Sequence, residues 1–212
     1  MNGKHTLVFA LVGFLCVGVS AFAMQVVWEG TDGGSQLTLG NAQLPTGSLL
    51  LLGSFGTMTD SAIAALGANR TALFAAFSTW DSCAIDSYGV FATAAGPRPG
   101  GGLLGKQAYL MACNSPNPFA ATDVGVFKGP SSNPSIGDPW VFPATDGDVA
   151  PAFSLDAITP SGVIIGSWHS FYSPVFMITV NGLDIRPVPE PSTGMLASIG
   201  LACCAAVFRR RR

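Results

Sequence analysis

Few residues in the middle of this chain are equipped for acid–base, nucleophilic or metal chemistry. After His5 the sequence holds a single histidine, His169, between Trp168 and Ser170. A Ser-His-Asp arrangement needs a serine on an exposed elbow and a carboxylate behind the imidazole. Ser35, in Gly33-Gly-Ser-Gln-Leu37, lacks the second glycine of a G-x-S-x-G turn, and no other serine fits that pattern. His169 therefore reads as an aromatic-cluster or surface histidine at a strand end. A zinc site built on one histidine would have to be completed by scattered aspartates. Gly100-Gly-Gly-Leu-Leu-Gly105-Lys106 matches G-x-x-x-x-G-K by letter. Gln107 stands where a phosphate loop needs Ser or Thr, and the residues beyond it alternate like a strand instead of opening a helix. Gly96-Pro-Arg-Pro-Gly-Gly-Gly102 reads instead as a flexible loop.

Oxygen chemistry offers slightly more. Asp146 and Asp148 flank Gly147, with Thr145 before them and Asp138 nearby, and could give oxygen ligands to Ca²⁺. No Glu closes that loop at its twelfth position, so it is not an EF-hand. Apart from this weak Ca²⁺ candidate, no cofactor or metal is expected. A carboxylate pair for glycoside hydrolysis has no clear members, because Glu29 is the only glutamate before Glu190. Trp28, Trp80, Trp140 and Trp168, with Tyr88, Tyr109 and Tyr172, either form a platform for stacking sugars or fill the core.

The elements that would position these residues lie between two unusual ends. Lys4 and His5 precede an apolar run from Thr6 to Val19, and Ala21-Phe-Ala23 follows as a small-x-small site. That order is the one of a secretory signal peptide over residues 1–23, which implies Sec-type export machinery and a signal peptidase as partners. At the other end, prolines at 187, 189 and 191 precede an apolar run from Gly194 to Phe208, and Arg209, Arg210, Arg211 and Arg212 close the chain. The 15 residues of that run would cover only about 22 Å as a helix, short of the roughly 30 Å of hydrocarbon in a bilayer. Four arginines resist translocation and hold their end on the cytoplasmic side.

Pro189-Glu190-Pro191, a short hydrophobic segment and a terminal arginine cluster together resemble the PEP-CTERM sorting signal of Gram-negative bacteria. The resemblance covers residues 187–212 and implies recognition by an exosortase, an integral-membrane cysteine protease, in bacteria that make extracellular polysaccharide. It makes Pro189, Glu190 and Pro191 the sorting and cleavage motif and the four arginines the positive stop. It implies export, a transient inner-membrane anchor, and then the cell surface or extracellular matrix. Gly105-Lys-Gln to Asn114, Asp123 to Phe127 and Trp140-Val-Phe-Pro143 also resemble the central segment of many PEP-CTERM surface proteins, which has no assigned activity.

Composition bounds the remaining body, residues 24–186. The whole chain is 10% charged and 49% hydrophobic with a net charge of −2. Between the two ends stand eleven acids and five bases, a net charge of −6, so a nucleic acid held by bulk attraction is excluded. Of five cysteines only Cys83 and Cys113 lie in the body. In an oxidising compartment they either form one disulfide, which is the expectation here, or remain two buried thiols.

Strands are expected at 25–29, 36–39, 48–52, 88–93, 107–113, 124–128, 163–168 and 175–180, with Asn181-Gly182 as a turn after the last. Ile63, Leu66, Leu73, Phe74 and Phe77 recur at helical spacing, with Thr59 or Asp60 as N-cap and Gly67 and Asn69 dividing two short helices. The expected fold is mainly β, an antiparallel sandwich-like domain with one helical insertion after the third of these strands. The expected role is non-enzymatic, structural or adhesive. The alternatives are a module binding extracellular polysaccharide and a secreted hydrolase.

Overall fold

The structure, a computed structural model, describes residues 24–30, 34–40, 42–87, 91–98, 101–132, 134, 137–145, 151–173 and 177–188. The signal segment, Tyr88, the Asp146–Asp148 loop and the chain beyond Val188 lie outside the described residues.

Apolar run length decides which strands are central. Leu49-Leu-Leu-Leu52 has no alternation because both of its faces are covered, as such a run requires. It opens β4 (Leu49–Ser54), which pairs antiparallel with β5 (Ser78–Ala84) on one side and β7 (Tyr109–Cys113) on the other. Next comes β8 (Asp123–Phe127), antiparallel to β7. The far edge of β8 is shared by β10 (Val163–Ile165) and β13 (Arg186–Pro187).

Two smaller sheets complete the β structure. In one, β1 (Met24–Gly30) lies between antiparallel β6 (Phe91–Arg98) and parallel β9 (Ala152–Ser154). In the other, β11 (Ser167–Ser173) pairs antiparallel with β12 (Ile178–Asp184), and β12 runs parallel to β2 (Gln36–Leu39), which pairs with β3 (Ala42–Gln43).

The period-2 alternation of the central strands assigns each face a different cover. Leu50, Leu52, Leu110, Ala112 and Phe127 join Val26 and Trp28 of β1, Leu37 of β2, Phe153 of β9 and Leu183 of β12 in one core. Leu51, Tyr109, Met111, Cys113, Val124 and Val126 join Ile63, Leu73 and Phe77 in the other. The chain is thus mainly β, with its strands in three sheets and a helical pair laid on one face of the central sheet.

That pair forms where its caps place it. Thr59, in an extended conformation, accepts a hydrogen bond from Ala62 N and starts α1 (Asp60–Leu66). Asn69 accepts one from Ala72 N and starts α2 (Arg70–Ala76). Each cap contributes about 1 kcal/mol.

Several expectations are corrected. Asn181-Gly182 is not a turn but the middle of β12, because β11 pairs along its whole length and β2 pairs with Gly182, Leu183 and Asp184. The expected strand at 163–168 divides into β10 and β11 at Gly166, whose φ of +132° turns the chain from one sheet into another. Gly96, Pro97 and Arg98 end β6 rather than forming a loop. Pro97 lies within the register shift against β1 at the sheet edge, where a missing N–H is tolerated. Strand β5 was not expected, since Ser78-Thr-Trp-Asp-Ser-Cys-Ala84 carries few apolar residues.

Candidate functional site

The strongest local construction outside the cores is the end of the central sheet where the chain leaves the body. The chain from β7 to β8 is tied to itself by Asn114, whose Nδ2 donates to Thr122 Oγ1 and Asp123 Oδ2 at 2.8 Å each. The Asn114 Oδ1 accepts from the backbone N of Thr122 at 3.0 Å and of Asp123 at 3.2 Å. Asn117 repeats the device one turn further, its Oδ1 accepting from Phe119 N at 3.0 Å. The Arg70 guanidinium donates to Ala121 O, joining the loop to α2.

Against this loop the last described residues dock. Arg186 and Pro187 pair with Val124 and Asp123, and Val188 N donates to Thr122 O at 3.0 Å. Val188 is buried in the core beneath the helices. Packing thus continues to Val188, and Pro189 of the sorting motif follows it directly. Pro189, Glu190, Pro191 and Arg209–Arg212 lie outside the described residues, as does the apolar run between them. Among the described residues no helix is long and apolar enough to cross a membrane.

The residues considered for catalysis are engaged in packing or in backbone hydrogen bonds. The imidazole of His169 on β11 lies over Gly182 on β12, so closely that a Cβ there would stand 2.6 Å from its Cε1 and Nε2. Ser35 is buried, and its backbone N–H donates to Asp156 Oδ1. Glycines 101 and 102 and Leu103 form a 3₁₀ turn, and Lys106 and Gln107 lead into β7, so no helix N-terminus follows.

Gln107 serves structure here. Its Nε2 donates to Trp140 O at 2.7 Å, Ala108 O at 3.1 Å and Gly129 O at 3.2 Å. Ala108 N donates to Trp140 O, Phe142 N to Lys106 O, and Gly105 N to Pro143 O. The two sequence segments 105–108 and 140–143 are therefore one paired unit. Trp140 lies flat against the backbone of Gly129, where no Cβ could fit, and stacks on Phe153 at 5.3 Å.

The expected disulfide is absent: Cys83 and Cys113 are free. Cys83 packs against the core shared with the small sheets, whereas Cys113 belongs to the core beneath the helices. Their side chains thus stand on opposite faces of the central sheet, an orientation no disulfide can bridge. Burial pushes both thiols up to about 12, with Asp81 adding to the effect at Cys83 and Arg70 opposing it at Cys113. Neither is a poised nucleophile.

The aromatic set is mainly internal. Trp28, Trp80, Trp140 and Tyr109 are buried and Trp168 is partly so, while Tyr172 is exposed. For the Ca²⁺ candidate, Asp146 and Asp148 lie outside the described residues, and Asp138 Oδ2 accepts from Ala152 N at 2.8 Å. Among the described residues no group of three His, Cys, Asp or Glu is placed to hold a metal.

One cluster escaped sequence reasoning. Asp60, at the start of α1, accepts from Lys128 Nζ at 2.6 Å and from the Tyr109 hydroxyl at 3.3 Å. Burial, the Asp60 charge and that hydrogen bond push the Tyr109 phenol up to about 12. Asp60 also lines an open crevice of about 250 Å³ with Ser61, Ala64, Ser161, Val163 and Ile164. Its carboxylate is committed to Lys128 and Tyr109, which are 68 and 49 residues away, so no local pattern could have announced the grouping.

No curated protein and no solved structure matches this chain. The family model of the PEP-CTERM protein-sorting motif matches residues 187–212, beginning within β13. The chain therefore carries that motif at the C-terminal position of exosortase substrates, which are exported and held transiently in a membrane until they are cut.

Proposed function

We propose that this chain is a non-enzymatic cell-surface or extracellular-matrix protein of a Gram-negative bacterium, delivered by exosortase-type cleavage after signal-peptide removal. The observation that carries the reading is the sorting motif at 187–212, entered directly from a folded β body in which Val188 is still buried. In this reading the arginines hold the precursor in the inner membrane, each costing about 2.5–3.5 kcal/mol at a helix centre. Prolines at 189 and 191 lack the N–H that a helix interior needs, so the sequence separates β13 from the apolar run by helix-breaking residues. The role of the released body is structural or adhesive. The occupied geometry around His169, Asp60 and Gln107, each engaged in packing or internal bonds, supports that role over hydrolysis.

The test is co-production of the full chain with an exosortase, followed by mass spectrometry of the released species. The expected product ends near Pro189–Pro191, and Glu190→Ala is expected to leave intact precursor in the membrane. A released product still carrying Met195 to Arg212 would refute the reading.

A further inference from the structure

The largest exposed aromatic beside the exit strand is Phe119, with 68% of its surface open, adjacent to Phe74 of α2 at 6.1 Å between ring centroids. The segment from Asn114 to Thr122 that presents it contains Pro116, Pro118, Phe119, Ala120 and Ala121 and no charged residue, within a body of net charge −6. It is a held segment: Asn114 closes its ends, Asn117 and Ser115 bond its interior, and Arg70 fastens Ala121. Arg186, exposed on β13, adds a cation at the same end of the sheet.

The tether places this surface. Thr122 O receives Val188 N, and Phe119 is three residues from Thr122, so its Cα lies within about 11 Å of that docking point. From Val188 to Gly194, where the apolar run begins, there are six steps along the chain, at most about 20 Å when fully extended. While the C-terminal run is in a bilayer, the Asn114–Thr122 loop is held within reach of that bilayer's surface. We infer that this loop docks on the lipid–water interface in the uncleaved precursor, with Phe119 inserted among the acyl chains and Arg186 facing anionic headgroups. The inference rests on the proposed anchoring of residues 194–208. An uncharged, aromatic-tipped loop beside the exposed Arg186, with the Asp123 carboxylate turned onto Asn114 and Thr122, is the chemistry such an interface takes up. Because the loop is already ordered, docking costs little conformational entropy.

The experiment places Phe119→Trp in the full chain, reconstituted into vesicles of phosphatidylethanolamine and phosphatidylglycerol with and without brominated acyl chains. After subtraction of the parent chain, whose Trp28, Trp80 and Trp140 are buried, the expected result is blue-shifted emission from the introduced indole that brominated lipid quenches. Vesicle flotation reports separately whether the tail is inserted. Flotation with unshifted, unquenched emission from the introduced indole overturns the docking surface alone. Failure to float overturns the anchoring reading and the docking surface together.

Discussion

Replacing Gly182 by Ala tests the interior of the smallest-residue position in β12. A Cβ there would stand 2.6 Å from both Cε1 and Nε2 of His169 and 3.1 Å from Cδ2, closer than packed atoms approach. Forcing a methyl into such a contact costs about 1–3 kcal/mol. Against this, Ala restricts the unfolded chain relative to Gly and returns about 0.5–1 kcal/mol. The net expectation is a loss of about 1–2 kcal/mol, or roughly 3–6 °C in melting temperature for a body of this size. In a His169→Ala background the obstructing ring is gone, and Gly182→Ala should become neutral or stabilising by about 0.5 kcal/mol. The coupling between the two changes is then about 1.5–2.5 kcal/mol, well outside the roughly 0.3–0.5 kcal/mol scatter of independent sites. Thermal melts of the full chain in detergent, followed by emission of its buried tryptophans, measure all four corners of the cycle. Equal effects of Gly182→Ala in both backgrounds would refute the packing argument.

Gln107→Leu removes the amide that joins Trp140 O and Gly129 O, and should lower the urea midpoint by the equivalent of about 1–3 kcal/mol with an unchanged slope. Gln36→Met should do the opposite, raising stability by about 1 kcal/mol, because both amide atoms of Gln36 are buried without hydrogen-bond partners among the described residues. Alkylation without reductant should leave Cys83 and Cys113 untouched in the native chain and label both after denaturation, as peptide mapping would show; a Cys83–Cys113 linked peptide would contradict the sheet geometry. Stability should also fall as pH rises from about 9 to about 12. Unfolded thiols titrate near 9.0 and the unfolded Tyr109 phenol near 10.0, whereas the folded groups keep their protons to about 12, so the native state binds more protons across that window.

What the sequence determined by itself was local or terminal. Thr59 or Asp60 as the first N-cap, and Gly67 and Asn69 as the break between two helices, are read from residue type, because short side-chain oxygens satisfy the amides two or three residues on. The runs at 25–29, 36–39, 48–52 and 107–113 read as strands from their own apolar content, and β1, β2, β4 and β7 form there. The sorting motif is legible because its information is linear: a proline-bounded acid, an apolar run and a charge cluster are read as a string.

Tertiary structure decided whatever depended on partners distant along the chain. Gly182 looks like a turn residue until β2, some 146 residues earlier, pairs with its strand and His169 closes over it. Ser78–Ala84 looks polar until β4 offers it an edge. Cys83 and Cys113 look like a pair until β5 and β7, on either side of β4, aim them at opposite cores. The physical reason is that turn and helix preferences act over three or four residues, whereas a strand's buried face and hydrogen-bond partners are fixed only when another segment docks beside it.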